Sequence, residues 1–155
     1  MPGITEKRLA DLDISLPAPA PSEGNYIPTV TVGSLVFVAG QVTRSRGKLE
    51  FVGKLGREFD VDEGQKAARL CATNVLAQLK EACGGDLDRV VRCVRVTGYV
   101  NCMPEFTQQP QVINGASDFF VAVFEKNGRH ARTAIGVSSL PGGVACEVEA
   151  IFQIR

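Results

Sequence analysis

The chain has 155 residues, 45% hydrophobic and 22% charged, and its 17 basic and 17 acidic side chains balance to zero net charge. That length and composition suit one globular domain able to bury its own core, while the charge balance argues against non-specific nucleic-acid binding, whose affinity comes from clustered Lys and Arg. Five cysteines with no CxxC pair, a single histidine (His130) and no run near the roughly 20 apolar residues of a membrane span speak against a disulfide framework, a metal site and a membrane segment.

Residues 1–25 read as a lead-in lying along the surface. Met1 to Pro21 holds no apolar run of signal-peptide length, and Leu16-Pro17-Ala18-Pro19-Ala20-Pro21 cannot enter a helix interior or a central strand. With free cysteines expected to be buried, the setting is a reducing cytosol. Thr29–Val32 and Leu35–Ala39 flank Gly33-Ser34 and predict a β-hairpin. Its second run is apolar on both faces, as expected of a central strand buried on both sides. The polar stretch 43–57 follows, with room for a short strand at Leu49-Glu50-Phe51. Its basic residues Arg44, Arg46, Lys48, Lys54 and Arg57 read as a solvated loop.

Asp60 with Glu63 three residues on resembles a capping box. Ala68, Cys71 or Ala72, Val75, Leu79 and Ala82 then recur at helical spacing until Gly84-Gly85 stops the helix. Val90 to Val100 is a valine-rich strand. Pro110, at a first helical position, opens a second helix carrying Val112/Ile113, Ala116, Phe119/Phe120 and Val123/Phe124, ended at Asn127-Gly128. Arg132–Val137 and Ala145–Ile154 read as a terminal hairpin. The sum is an α+β domain of about six strands and two helices. Two helices cover one face of a sheet, and since Leu35 and Phe37 point opposite to Val36 and Val38, the other face stays apolar and open. Soluble proteins avoid such a face, so self-association is expected.

If the terminal hairpin is symmetric, Arg132 and Glu147 fall opposite each other, with Glu149, Ala134 and Gly136 on the same face. A guanidinium beside small residues can take a carboxylate through two parallel hydrogen bonds, and a nearby Glu can deprotonate a water. Spacing alone fits a cross-strand salt bridge on a solvated sheet better, since such surface pairs are common. Ser117, Ser138 and Ser139 lack a nucleophile-elbow context, His130 reads as structural, and Gly40-Gln41 could offer backbone amides to a ligand.

His130-Ala131-Arg132-Thr133-Ala134, Leu140-Pro141 and Glu147-Val148-Glu149-Ala150-Ile151 together resemble the C-terminal signature of the Rid family, also called YjgF-like or L-PSP endoribonuclease-like. Gly24-Asn25-Tyr26, Ala39-Gly40-Gln41 and Asn114 match further family positions. The resemblance implies a chorismate-mutase-like fold, a mixed sheet with two helices on one face. It implies a homotrimer with clefts between subunits, no cofactor or metal, and hydrolysis of reactive enamines and imines to 2-keto acids and ammonia. By the same resemblance Arg132 clamps the substrate carboxylate, Glu147 positions water and Tyr26 closes the cleft. Backbone at Ala39, Gly40 and Ala134 contacts the ligand, and Asn114 supports it. The sequence departs from the imine-deaminase pattern at Ala134 (a cysteine in that group), at Ala39 (a small hydroxyl residue) and at Arg129-His130-Ala131 (often Phe-Pro-Ala). It looks like a longer-form branch. A metabolite sensor using the same clamp without turnover, and an endoribonuclease or translation inhibitor, are the competing functions.

Overall fold

The computed structural model describes all 155 residues. In chain order the elements are α1 (Ile4–Asp11), β1 (Thr29–Val32), β2 (Leu35–Val42), β3 (Arg44–Ser45), β4 (Lys48–Leu49), α2 (Val61–Ala82), β5 (Val90–Asn101), α3 (Gln109–Phe124), β6 (Ala131–Val137) and β7 (Cys146–Ile154). One five-stranded sheet runs β1-β2-β7-β5-β6, and β3 and β4 form a separate two-stranded ribbon. All pairs in the main sheet are antiparallel except β5 with β6, which are parallel. The expected mixed α+β fold is therefore present, with three helices rather than two. None of the three is long and apolar enough to cross a membrane.

Local chemistry sets the helix boundaries. Asp60 Oδ1 accepts from the Glu63 amide at 2.9 Å while Glu63 Oε1 accepts from the Asp60 amide at 3.3 Å, closing the capping box. Past Cys83, Gly84 (φ +67°) and Gly85 (φ +90°) turn the chain through the left-handed region that glycine enters freely. The buried stripe of α2, including Ala68, Cys71, Ala72, Val75 and Leu79, lies on the sheet, and α3 sits beside it with Phe119 and Phe120 fully buried. Phe120 stands edge-on to Phe119 and to Phe152 of β7, at 5.7 and 5.5 Å between ring centres. Close approach of α2 and α3 depends on glycine: a Cβ on Gly115 would collide with the carbonyl oxygen of Gln65.

Five expectations are corrected. Strand β2 is buried on one side only: Val36 and Val38 face the helices, whereas Phe37 is 41% exposed on the open side with Val30, Val32 and Ile135. The short strand ends at Leu49 instead of running through Phe51, because Phe51 adopts a positive φ and turns in to pack edge-on against Phe59. Within the surface lead-in, residues 4–11 form α1, whose Leu9 is buried and whose first amides, Ile4 and Thr5, each donate at 2.8 Å to the Asp88 carboxylate. Nor is the basic loop simply solvated. Arg44 pairs with Glu23, and Lys54 Nζ donates to Asn101 Oδ1 and Ser138 O at 2.6 and 2.5 Å.

The terminal hairpin does not form either. β5 lies between β6 and β7 and pairs with both: Val96 is aligned with Arg132 on one side and Ala150 on the other. Parallel partners need a crossover, and α3 supplies it from β5 to β6. The segment 138–145 then passes over the end of β5, pinned where Asn101 N donates to Ala145 O at 2.9 Å and Asn101 Nδ2 to Val144 O at 3.1 Å. β7 belongs in the middle of the sheet because one of its faces is an unbroken buried row, Cys146, Val148, Ala150, Phe152 and Ile154.

Gly115→Ala should cost about 1–3 kcal/mol, the usual range for overpacking, because the new methyl meets backbone and not a flexible side chain. Urea unfolding monitored by circular dichroism would read it as a lower midpoint at unchanged slope.

Candidate active site

Six of the seven residues singled out from sequence divide between two places. Arg132 extends from edge strand β6 toward α3, where its Nη1 donates to Asn114 Oδ1 at 2.7 Å and to Ser117 Oγ at 3.2 Å. Ala134, two residues along on the same face, packs against the core and leaves a short methyl where a larger residue would fill the space. No carboxylate of the chain pairs with Arg132; the four ion pairs present involve Arg8, Arg44, Arg57 and Lys80. A half-buried guanidinium held only by neutral oxygens is open to an outside carboxylate.

Ser117, set aside above as a nucleophile, follows Asn114 by three residues and so shares its helix face. Its Oγ lies 2.9 Å from Nε2 of His130, whose Nδ1 lies 2.6 Å from the Gly128 carbonyl oxygen. Burial, and to a lesser degree the charge of Arg132, push the His130 pKa below its ordinary value, partly opposed by the hydrogen bond to Gly128.

Tyr26, Gly40 and Glu147 come together elsewhere, around a cleft of about 340 Å³ whose walls also carry Glu23, Arg44 and Asn74. The β2–β7 register explains the geometry. Val38 aligns with Ala150 but Gln41 with Val148, so β2 holds one extra residue, a β-bulge at Ala39-Gly40. The bulge brings the Gly40 backbone against the Glu147 carboxylate so closely that a Cβ there would collide with Oε1. Glycine at 40 is thus what lets Glu147 lie in the cleft. Ala39 does not line this cleft; it faces an adjoining apolar hollow with Phe37 and Ile151, because the bulge turns successive residues apart. The Tyr26 ring is 53% exposed at the rim, its hydroxyl accepting from the Glu23 amide at 3.4 Å.

Glu147 and Glu149 share the open face of β7, as expected from alternation. Tyr99 donates to Glu149 Oε1 at 2.7 Å, a bond that helps push the Tyr99 pKa up to about 12. Glu147 has no cationic partner, and burial, then the charge of Glu149, raise its pKa above the usual carboxylate value. A carboxylate that binds its proton more tightly than normal is suited to proton transfer nearer neutral pH.

The expected opposition of Arg132 and Glu147 is overturned. With β5 intervening, the two lie two strands apart and three residues out of register, about 14 Å between backbones at ordinary sheet spacings. They also face opposite sides of the sheet. No group of three or more His, Cys, Asp or Glu side chains is arranged to hold a metal ion, and all five cysteines are buried thiols, those of Cys93 and Cys146 pushed up to about 12 by burial.

Because the folded state raises the Glu147 pKa, the native protein holds that proton more tightly than the unfolded chain, and stability falls as pH rises from the unfolded pKa through the folded one. Glu147→Gln should therefore melt at a higher temperature than wild type at pH 7. Scanning calorimetry should find the gain shrinking below about pH 4, where the unfolded carboxyl is itself protonated.

Residues 6–153 match the model of a family described as "YjgF/chorismate_mutase-like, putative endoribonuclease". Protein TCP17 of Trypanosoma cruzi is 44% identical over 99% of this chain and 96% of its own length. Among solved structures, protein Atu1372 of Agrobacterium tumefaciens, of unknown function, superposes with a TM-score of 0.91 at 43% identity, covering 97% of this chain and 92% of that one. TdcF of E. coli, solved with bound serine, superposes with a TM-score of 0.62 at 26% identity over 89% and 93% of the two chains. With the family model spanning nearly the whole chain and the two halves of the signature each built around its own charged residue, this chain belongs to the YjgF-like, or Rid, family.

Proposed function

We propose that the chain hydrolyses 2-imino acids, and the enamines in equilibrium with them, to 2-keto acids and ammonia, at a site completed between copies in a homotrimer. The observation that carries the reading is the pair of unmatched charges: Arg132 without a carboxylate and Glu147 without a cation, each half-buried. Leaving a buried charge unpaired costs free energy, and a substrate bearing a carboxylate beside an electrophilic carbon would relieve both. TdcF, a relative with bound serine, is a family precedent for holding a small amino acid.

In this reading the Arg132 guanidinium takes the substrate carboxylate and fixes the imine carbon near a water at Glu147. Water adds to the carbon of the protonated imine as its proton passes to the Glu147 carboxylate, giving a neutral tetrahedral carbinolamine. Glu147 returns the proton to nitrogen, the C–N bond breaks as the hydroxyl proton passes back to Glu147, and ammonia leaves with the 2-keto acid. Tyr26 covers the cleft mouth, and Asn114 holds the anchor.

A single chain keeps Arg132 and Glu147 too far apart for one small substrate, so Arg132 of one copy has to meet Glu147 of the next. The open sheet face, apolar at Val30, Val32, Phe37 and Ile135, is the surface such an assembly would cover. A closed ring uses each half of every copy once.

Arg132→Ala and Glu147→Gln should each lower the rate of ammonia release from 2-iminopropionate, generated in situ by a dehydratase, by about 10²–10⁴-fold. Unfolding the two dead variants together and refolding them as mixed trimers should restore roughly a quarter of wild-type activity, since each site draws its two halves independently. Full dead-variant behaviour in the mixture would sink the shared site. Keto-acid binding without turnover in wild type would replace the hydrolase with a sensor.

A further inference from the structure

We propose that Ser117 and His130 are positioning residues for Arg132, fixing its guanidinium through a directional hydrogen-bond chain that ends on a backbone carbonyl. This rests on the reading of Arg132 as the carboxylate anchor. The direction of the chain follows from what each atom can do. The Gly128 carbonyl can only accept, so Nδ1 of His130, 2.6 Å away, carries the proton. Nε2 of the neutral ring is then an acceptor, and Ser117 Oγ at 2.9 Å donates to it. With its proton committed, the Ser117 oxygen offers lone pairs to Arg132 Nη1 at 3.2 Å, whose second proton goes to Asn114 Oδ1 at 2.7 Å.

Both protons of Nη1 are thereby engaged and the guanidinium plane is set. The edge left for a ligand is the one carrying Nη2 and Nε, neither of which bonds within the chain. A carboxylate should therefore dock side-on across Nη2 and Nε, and rotation about the last bonds of the arginine is already suppressed before it arrives, which lowers the ordering cost of binding.

The surroundings hold His130 in the protonation state the chain needs. From α3 it meets Ser117 and the edge of Phe120, with 6.2 Å between ring centres and planes at 90°. The 125–128 turn presents the Gly128 carbonyl, and β6 contributes Arg132, whose charge acts against a second proton. Protonating Nε2 would leave the Ser117 hydroxyl without its acceptor and put two cations on either side of one oxygen.

The test uses 2-oxobutyrate, a stable keto acid, as the probe, with binding by titration calorimetry and turnover on 2-iminopropionate. Arg132→Ala should abolish binding, which checks the anchor itself. Ser117→Ala and His130→Phe should weaken binding about 5- to 30-fold, as expected for losing one link to a charged group, with the change appearing in KM far more than in kcat. His130→Gln, whose amide oxygen can accept from Ser117, should recover most of the loss. In wild type, KM should rise on the acid side as His130 protonates, and that limb should vanish in His130→Gln. Long-range ¹H–¹⁵N spectra should show the Nδ1–H tautomer, and a His130 pKa that rises in Arg132→Ala. If Ser117→Ala and His130→Phe bind like wild type while Arg132→Ala does not, or if the proton sits on Nε2, the positioning role is overturned with the anchor intact. If Arg132→Ala binds as wild type does, the anchor reading fails and the positioning role falls with it.

Discussion

β5 supplies both edges of its backbone to the sheet, parallel to β6 on one side and antiparallel to β7 on the other. A two-sided strand of twelve residues at this position has one helix-facing row, Val96, Gly98 and Val100 among it, that must admit α3 closely, and Gly98 provides the room by lacking a side chain against Ile113. From this insertion the rest follows. β6 becomes an edge strand, its Arg132 free to reach α3; β7 becomes interior, its Glu147 placed on the open face beside the end of β2. The strand that stabilises the sheet is also the one that keeps the two signature charges of a single chain from neutralising each other.

That separation has an energetic side. An Arg–Glu pair directly opposed across a ladder would satisfy both charges and leave neither for a ligand. Here each is half-buried and without an ion-pair partner: Arg132 is bonded only to the neutral Asn114 and Ser117, and Glu147 lies close against the Gly40 backbone. The raised pKa of Glu147 records the cost of that arrangement. Reactive sites commonly sit at such points, where local stability is traded for a group ready to act.

Features governed by neighbours in sequence could be read directly: the β1–β2 hairpin around Gly33, the Asp60–Glu63 box, the Gly84-Gly85 stop and the α3 stripe from Val112 to Phe124. Each has a signal within a few residues, so no tertiary knowledge is needed. The pairing of β6 could not be read this way, because alternation says which face a residue takes and nothing about which strand lies alongside. A hairpin is the default for consecutive strands, and the parallel alternative shows only once α3 is seen to return the chain beside β5. Helix α1 escaped notice for a different reason. Its buried face is little more than Thr5 and Leu9, its N-cap is Gly3 without a side-chain bond, and what holds its first turn is Asp88, far along the chain. The bulge at Ala39-Gly40 is likewise a matter of register, so the sequence could nominate both residues but not separate their roles.

The departures from the imine-deaminase pattern fall at physically different points of the structure. Ala134 sits on the same face as Arg132 against the core, so exchanging a thiol for a methyl changes the shape of the lining and leaves its charge alone. The Arg129-His130-Ala131 segment is of another kind. A proline at position 130 would fix the backbone but offer no side-chain hydrogen bond; histidine gives up that stiffness and supplies two ring nitrogens, one tied to Gly128 and one to Ser117. On the proposed reading of Arg132 as the anchor, its rigidity would then be carried by a side-chain chain instead of by the main chain. The two solutions differ in one physical respect. A proline holds at any pH, whereas an imidazole holds only while it is neutral, so on the proposed reading of Arg132 as the carboxylate anchor this chain would meet an acid limit on binding that a proline at position 130 would not impose.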